Sequence, residues 1–328
     1  MSKPKVLISS KIPQEVEQYI AEHAELVRWP SDRTLSHEQK LAFLHDVEGL
    51  LTTGGGIAVN EELLQHAPKL RIASNIAVGY NNFDTAAMKA RGVLGTNTPH
   101  VLDDTVADLV LALMLASARR VTELDQLVKQ GKWQRGKLKD EDLFGLDVHH
   151  ATVGIIGMGR IGEAIAKRAK FGFDMDVLYY NRSRKPEMEE RLGVSYRALE
   201  QLLRESDFVV LMTPLTSETT RLIRKEHFEL MKRTAFFINA SRGQTVDERA
   251  LIEALQEGLI RGAGLDVFEQ EPTDPNNPLL AMPNVVTLPH IGSATAKTRF
   301  DMAMRAAKNL VAGLKGEAPP DLVGELRE

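Results

Sequence analysis

Residues 153–162 are Val-Gly-Ile-Ile-Gly-Met-Gly-Arg-Ile-Gly, and this stretch decides the fold class of the second half of the chain. An apolar run leads into a G-x-G-x-x-G pattern, and an amphipathic segment follows it. This order is typical of a dinucleotide-binding strand, turn and helix. Gly157 permits the tight turn, Gly159 lets the backbone approach a pyrophosphate, and Gly162 lets the helix pack against its strand. A glycine turn that serves packing alone is the alternative.

The rest of the chain alternates short β-branched runs with helical patterns, which predicts an α/β protein of two doubly wound parallel-sheet domains. A long apolar helix is predicted at 105–120, and a polar stretch at 131–150 is predicted to lie on the surface or at a subunit contact. Strands are predicted at 5–10, 25–29, 49–53, 71–78, 93–97, 152–158, 176–181, 208–214, 235–240, 262–268 and 285–288. The other helices are predicted at 13–23, 37–45, 60–67, 83–90, 160–171, 199–205, 225–231, 248–257 and 294–314.

The composition excludes several classes of protein. The chain has 328 residues, no cysteine and a formal net charge of −4. The charge gives no support for nucleic-acid binding, and the lack of cysteine excludes disulfides and thiolate metal sites. The first residues contain no secretory signal, and the most apolar run, 106–118, is shorter than the roughly 20 residues that span a bilayer. We therefore expect a cytoplasmic protein with no membrane partner, no nucleic-acid partner and no bound metal.

The end of the second strand of this domain bears on the choice of cofactor. Residues 178–185 are Leu-Tyr-Tyr-Asn-Arg-Ser-Arg-Lys, without the acid that usually holds the ribose 2′-hydroxyl of NAD. Asn181 is neutral, Ser183 offers a hydroxyl, and the guanidinium groups of Arg182 and Arg184 suit a 2′-phosphate. We therefore expect NADPH as the preferred cofactor, with NADH possible. A solvated basic loop is the alternative.

Three segments at the ends of predicted strands carry four residues that suit acid–base and anion-binding chemistry. Arg242 lies in Ser-Arg-Gly, Asp266 and Glu271 lie in Asp-Val-Phe-Glu-Gln-Glu-Pro, and His290 lies in Pro-His-Ile-Gly. Ligands of open α/β sheets bind outside the carboxyl ends of the strands. We therefore expect these four side chains to converge. Glu269 is a rival to Glu271.

These motifs, in this order, resemble those of the D-isomer-specific 2-hydroxyacid dehydrogenase family, and the resemblance covers essentially the whole chain. Within the family the chain is most similar to bacterial reductases of glyoxylate, hydroxypyruvate and 2-keto-D-gluconate. The stretches that carry this closer resemblance are 78–84 (Val-Gly-Tyr-Asn-Asn-Phe-Asp), 145–150 (Gly-Leu-Asp-Val-His-His) and 290–295 (His-Ile-Gly-Ser-Ala-Thr).

The resemblance implies roles for the residues that match the family's motifs. His290 would donate the proton, Glu271 would hydrogen-bond it, and Arg242 would hold the carboxylate and polarise the keto oxygen of a 2-keto acid. Asp266 would accept from the nicotinamide amide. The implied substrate contacts are Val78, Gly79, Arg242, His290 and Ser293. The implied cofactor contacts are Thr105, Gly157, Gly159, Arg160, Ile161, Gly162, Asn181, Arg182, Ser183, Arg184, Pro214, Thr219, Ala240, Ser241, Asp266 and Gly292.

The resemblance also implies a domain arrangement. An NAD(P)-binding Rossmann domain at 100–291 would be inserted into a flavodoxin-like substrate-binding domain formed by 1–99 and 292–328. Two chain crossings would make a hinge whose closure excludes water. The helix from Thr105 and the polar loop after it would build a two-fold homodimer.

Two alternatives remain open. One is another dehydrogenase on the same scaffold, such as a D-lactate, phosphoglycerate, formate or phosphite type. The other is a corepressor that senses the dinucleotide. The chain has no basic DNA-binding segment, which weighs against the corepressor.

Overall fold

The computed structural model describes residues 3–29 and 36–327. The chain divides into two compact units. Unit 1 consists of Met1–Leu102 and Ala294–Glu328, and unit 2 consists of Asp103–Ser293. The family resemblance implies domain boundaries at 99 and 292. Unit 1 is thus assembled from two chain segments that flank unit 2.

Unit 1 is a parallel sheet with helices on both faces. Its first segment contains β1 (Lys5–Ile8), α1 (Gln14–His23), β2 (Glu25–Arg28), α2 (His37–Ala42), β3 (Gly49–Thr52), α3 (Glu61–His66), β4 (Ile72–Asn75), α4 (Thr85–Ala90) and β5 (Leu94–Thr96). The strand order is β2-β1-β3-β4-β5, with every pairing parallel. This is the flavodoxin-like order.

Unit 2 begins with two consecutive helices and continues as a second parallel sheet. Its elements are α5 (Asp103–Ala118), α6 (Val121–Lys129), β6 (Thr152–Ile156), α7 (Arg160–Phe173), β7 (Asp176–Tyr180), α8 (Pro186–Leu192), β8 (Ser195–Tyr196), α9 (Leu199–Glu205), β9 (Phe208–Leu211), α10 (Lys225–Leu230), β10 (Phe236–Asn239), α11 (Glu248–Gln256), β11 (Gly262–Leu265) and β12 (Val285–Thr287). The last helix of the chain, α12 (Ala296–Lys315), belongs to unit 1.

The sheet of unit 2 has the order β12-β11-β10-β9-β6-β7-β8. β6 therefore lies beside β9, not beside β8, and the direction in which the strands are added reverses between them. In open α/β sheets such a switch point opens a crevice at the carboxyl ends of the strands, where ligands bind. The prediction of two doubly wound parallel-sheet domains is confirmed.

The central strands β3, β4, β9, β10 and β11 are short and fully buried because helices cover both faces of each sheet, whereas the edge strands β2 and β8 are partly exposed. In unit 1, Leu7 and Leu50 pack with residues of α3 and α4 in one buried cluster. On the opposite face, a Cβ on Gly49 would meet Leu310 of α12 at 3.1 Å. This alternation between faces is the two-residue period of a strand.

Several helices begin at side chains that accept hydrogen bonds from their first turn. Asn60, Asp84 and Thr295 cap α3, α4 and α12 in this way. Such caps satisfy N–H groups that have no partner inside the helix.

Four elements of unit 2 depart from the predicted pattern. α6, α8 and β8 were not predicted, and the helix predicted at 105–120 ends at Ala118. Arg120 adopts a left-handed conformation (φ 54°) and precedes α6, where it forms an ion pair with Glu123 at 2.6 Å. A residue in this conformation interrupts a helix, so α5 and α6 are separate helices.

No helix in the described part of the chain is long and apolar enough to cross a membrane.

Candidate active site

The glycine turn after β6 is tightly packed at two positions and open at the third. Gly157 has φ 108°, and a Cβ there would lie 2.7 Å from the carbonyl of Met212, which follows β9. A Cβ on Gly162 would lie 2.4 Å from the Gly157 oxygen, whereas a Cβ on Gly159 would meet nothing within 4 Å. The space over Gly159 lets a bulky anion approach the backbone, as a pyrophosphate site requires.

The start of α7 offers donors to such an anion. Its first internal hydrogen bond runs from the N–H of Glu163 to the carbonyl of Gly159 (2.8 Å), so the N–H groups of Arg160 and Ile161 precede the helical ladder. The Arg160 side chain pairs with Asp103 at 3.3 Å. Thr105 lies in the same first turn of α5 as Asp103.

Two buried oxygens near this turn lack a partner among the described residues. They are Oδ1 of Asp103 and Oγ1 of Thr213, which follows β9 and Met212. Buried polar groups are nearly always paired, so these atoms fit a site that a polar ligand completes. The sequence analysis assigned neither residue to the cofactor site, although the position of Thr213 at the end of a predicted strand was a usable signal.

Asn181, at the end of β7, is directed back at the glycine turn. Its Oδ1 accepts from the N–H of Met158 at 2.8 Å, and its Nδ2 donates to the Met158 carbonyl at 3.3 Å. The side chain therefore fixes the backbone between Gly157 and Gly159. The hydroxyl of Ser183 and the side chain of Arg182 follow it and are exposed.

The two arginines after β7 have different surroundings. Arg184 forms two hydrogen bonds with Glu189 of α8, at 2.7 and 2.6 Å. Glu189 also accepts from the Tyr179 hydroxyl at 2.7 Å, and the hydrogen bonds from Arg184 and then Tyr179 lower the pKa of Glu189 to about 2. Arg182 is 88% exposed and has only a long ion pair with Glu218 at 3.4 Å. Arg182 is thus the more available cation.

Two of the expected cofactor residues use their hydroxyls within the protein. Thr219 donates to the carbonyl of Pro214 at 2.6 Å and so shapes the loop after β9. Ser241 is buried and donates to Asn239 Oδ1 at 2.8 Å. Ala240, half-buried at the end of β10, has no side-chain donor to offer.

His290 and Glu271 form a directly hydrogen-bonded pair. Nδ1 of His290 lies 2.7 Å from Oε2 of Glu271, and Oε1 accepts from the N–H of Phe268 at 3.1 Å. An ionised carboxylate only accepts, so Nδ1 carries the proton. The rival Glu269 instead pairs with Arg221 at 3.2 Å. The structure therefore brings Glu271, and not Glu269, to the histidine.

Asp266 holds the backbone that carries His290. Its two carboxylate oxygens accept from the N–H groups of Ile291 (2.7 Å) and Gly292 (2.8 Å), and its carbonyl accepts from the N–H of His290 (2.9 Å). Asp266 is 1% exposed, and burial raises its pKa despite these hydrogen bonds. His290 is left-handed (φ 54°), a conformation that needs such support. The expected bond from Asp266 to a nicotinamide amide stays a prediction.

Arg242 supplies the positive charge of the site. It follows β10, is half-buried, and donates from Nη1 to the Ser241 carbonyl at 2.6 Å. Burial lowers the pKa of Arg242, and the charge of Glu271 opposes that shift. Burial also disfavours the ionised form of Glu271, but the hydrogen bonds from His290 and Phe268 and the charge of Arg242 outweigh it, so the pKa of Glu271 lies below its ordinary value.

The remaining predicted substrate residues lie at unit boundaries or in unit 1. Val78 and Gly79 follow β4 of unit 1, and Ser293 is the last residue of unit 2. Among the described residues no group of three or more histidine, aspartate and glutamate side chains could hold a metal ion.

Comparison with known proteins agrees with this geometry. Residues 111–292 match the family model described as the NAD binding domain of D-isomer specific 2-hydroxyacid dehydrogenases. The chain is 50% identical over 321 residues to glyoxylate/hydroxypyruvate reductase B of Citrobacter koseri, covering 98% of each chain. It is 47% identical to glyoxylate reductase of Thermococcus kodakarensis, covering 98% of this chain and 97% of the relative.

A solved structure with the same fold carries a bound cofactor. The NADPH-dependent glyoxylate/hydroxypyruvate reductase of Sinorhizobium meliloti, in complex with NADP and malonate, superposes with a TM-score of 0.86 at 34% identity, covering 99% of this chain and 98% of that one. The family match and this neighbour show that the cofactor is a nicotinamide dinucleotide. The resemblance found in the sequence is confirmed, and the chain belongs to the D-isomer-specific 2-hydroxyacid dehydrogenase family of oxidoreductases.

Proposed function

We propose that this protein is an NADPH-dependent reductase that converts glyoxylate, hydroxypyruvate and 2-keto-D-gluconate to D-2-hydroxy acids. The observation that carries the proposal is the 2.7 Å pair between His290 and Glu271, under the charge of Arg242. A proton donor and a cation are what the reduction of a keto acid requires besides a hydride. The activities for which the relatives are named support glyoxylate and hydroxypyruvate as substrates.

The bound cofactor supplies the hydride to the keto carbon. His290 then supplies the proton. Because Nδ1 donates to Glu271, and Nε2 has no partner in the described part of the chain, Nε2 is the atom that faces a substrate. The Nε2–H bond breaks and an O–H bond forms at the former keto oxygen. The C=O group gains one hydride and one proton and becomes CH–OH.

The substrate carboxylate needs donors, and two sets are proposed. Arg242 binds it through guanidinium N–H groups and polarises the keto oxygen. The backbone N–H groups of Val78 and Gly79 are the second set. Arg242 suits a role in both binding and catalysis because its charge is held in a half-buried position by the Ser241 carbonyl at 2.6 Å.

A panel of keto acids with NADPH and NADH tests this function directly. We expect turnover of glyoxylate and hydroxypyruvate with a higher kcat/KM for NADPH than for NADH. Faster turnover of pyruvate, phosphohydroxypyruvate or the formate and phosphite couples would assign another activity of the same scaffold. Cofactor binding without turnover of any acid would favour a dinucleotide sensor instead.

His290 and Arg242 should fail in different ways when replaced. His290→Ala should lower kcat about 100- to 10,000-fold, as loss of a general acid does, and leave NADPH affinity intact. Arg242→Ala should raise KM for glyoxylate and lower kcat together, because the group acts in the ground state and in the transition state. Steady-state kinetics and NADPH fluorescence titration measure both. Wild-type kcat in His290→Ala, or an effect of Arg242→Ala on cofactor affinity alone, contradicts these roles.

The arginines after β7 should select the phosphorylated cofactor. Replacing Arg182 and Arg184 by alanine should raise KM for NADPH about 10- to 100-fold, the size of one or two lost hydrogen bonds to a charged group, and change KM for NADH little. Arg182→Ala alone should give most of the loss, because Glu189 occupies Arg184. Arg204→Ala is the matched control, since Arg204 is half-exposed and pairs with Glu200 at 3.7 Å on α9. Equal losses for both cofactors would rule out 2′-phosphate recognition.

The segment after α5 supports a homodimer. Val121, Val128, Trp133 and Phe144 are 52%, 52%, 69% and 61% exposed. Large apolar side chains gathered on one segment are typical of a protein interface. We expect a dimer in sedimentation velocity, and Trp133→Glu with Phe144→Glu should shift it to the monomer, because a buried charge without a partner opposes association. A monomeric wild-type protein would overturn the dimer.

A further inference from the structure

In the loop Ala77–Tyr80 of unit 1 every backbone carbonyl accepts a hydrogen bond from a described residue, whereas no N–H group of the loop donates to one. The carbonyls accept from four donors, which are the N–H of Thr98 to Ala77 (2.8 Å), Nδ2 of Asn97 to Val78 (2.7 Å), Nδ2 of Asn75 to Gly79 (3.4 Å) and the N–H of Phe83 to Tyr80 (2.9 Å). Two of these donors are asparagine side chains, which no part of the proposed function has used.

The four N–H groups of the same loop donate to no residue that the structure describes. The residues are half-buried. N–H groups without a protein partner are open to water or to a ligand, and a run of them is an anion-binding feature of loops. A carboxylate, which only accepts, is the matching ligand.

Planarity of the peptide bond links each carbonyl to the N–H of the next residue. The carbonyl of Val78 and the N–H of Gly79 belong to one rigid plane and point in opposite directions. The bond from Asn97 to the Val78 carbonyl therefore also sets the direction of the Gly79 N–H. The N–H of Thr98 does the same for the Val78 N–H through the Ala77 carbonyl.

Asn97 is itself held from two sides. Its carbonyl accepts from Nδ2 of Asn309 in α12 at 3.2 Å, and its N–H donates to the carbonyl of Asp321 at 3.3 Å. Asp321 is 4% exposed and accepts from two nitrogens of Arg305 at 2.6 and 2.7 Å. The amide that fixes the loop therefore belongs to a half-buried residue whose backbone N–H and carbonyl are both bonded.

We propose that Asn97 is a positioning residue for the substrate carboxylate, which it serves by holding the Val78–Gly79 peptide with its N–H group presented to the ligand. The inference rests on the proposed function, since it takes the carboxylate to be that of a 2-keto acid. Asn75 holds the Gly79–Tyr80 peptide in the same way, through a longer hydrogen bond from its Nδ2 to the Gly79 carbonyl. In this positioning role Asn97 touches neither substrate nor cofactor.

The test compares two variants of Asn97 with one matched control in the full-length protein. Asn97→Asp keeps the shape of the side chain and removes the donor, and Asn97→Ala removes the side chain. Asn284→Asp is the control, because Nδ2 of Asn284 also donates to a backbone carbonyl, that of Arg261 at 2.9 Å, at the amino end of β12. The readouts are KM for glyoxylate, KM for NADPH, kcat, and the rise in unfolding temperature produced by oxalate as a non-reacting carboxylate.

Both Asn97 variants should raise KM for glyoxylate about 10- to 100-fold, the size expected when one hydrogen bond to a charged group is lost. They should leave KM for NADPH unchanged and should lose the stabilisation by oxalate, whereas Asn284→Asp should behave as wild type. Unchanged KM for glyoxylate in Asn97→Ala would overturn the proposal. A parallel loss of glyoxylate and NADPH affinity would also overturn it, because that is the mark of a merely structural residue.

The two proposals can fail separately. If the wild type reduces no keto acid but oxalate stabilises it and not Asn97→Asp, the proposed function fails and the positioning role stands. If the wild type reduces glyoxylate and the Asn97 variants bind it equally well, the positioning role fails and the function stands.

Discussion

The buried carboxylate of Asp266 is the constraint on which the rest of the site depends. It satisfies two consecutive N–H groups, of Ile291 and Gly292, and so determines the path of the chain just after β12. His290 can then occupy a left-handed conformation that an isolated chain seldom adopts. With the backbone held there, Nδ1 meets Glu271 at 2.7 Å, and the opposite edge of the ring faces outward. The direction of the proton donor thus follows from an acid that does not touch the imidazole.

Asp266 and Glu271 are both acids of this site, and burial acts to raise the pKa of each, yet the net shifts have opposite directions. The pKa of Asp266 is raised, because its two N–H donors do not offset desolvation. The pKa of Glu271 is lowered, because a histidine, an N–H group and a guanidinium together exceed the same penalty. Ionised Glu271 therefore stabilises the fold above its ordinary pKa, and that contribution is lost as the pH falls through its lowered value. Ionised Asp266 destabilises the fold, because its pKa is raised, and its protonation removes that destabilisation.

Much of this architecture was predictable because it is encoded locally. The glycine turn at Gly157 needs no distant partner to be recognised, and the β-branched runs gave the strands to within a few residues. The order of the motifs was sufficient to group Arg242, Glu271 and His290. What escaped prediction depends on which partner an individual side chain reaches. In the sequence Arg184 looked equivalent to Arg182. In the structure Arg184 is paired with Glu189 of α8, a helix that was not predicted from the charge-rich stretch 186–192.

α6 also escaped prediction. The helix predicted at 105–120 ends within two residues of the end of α5, but α6 follows it and has no buried residue. Asn97 carried no motif at all, since its importance lies in which carbonyl its amide reaches. The partner that a single side chain reaches by a hydrogen bond depends on the final packing of the folded chain. The periodic pattern of apolar residues in the sequence does not describe that packing.

The division of unit 1 into two segments has a consequence for biosynthesis. Asn97 and Asn309 are 212 positions apart in sequence, and between them the ribosome makes all of unit 2. At about 5–20 residues per second this takes on the order of 10 to 40 seconds. Until α12 has been synthesised, β3, β4 and β5 lack the helix that covers one face of their sheet, whereas every residue of unit 2 precedes α12 in the chain. The nascent chain thus holds a finished dinucleotide-binding domain beside an unfinished partner, whose exposed apolar face is the part that a chaperone would meet.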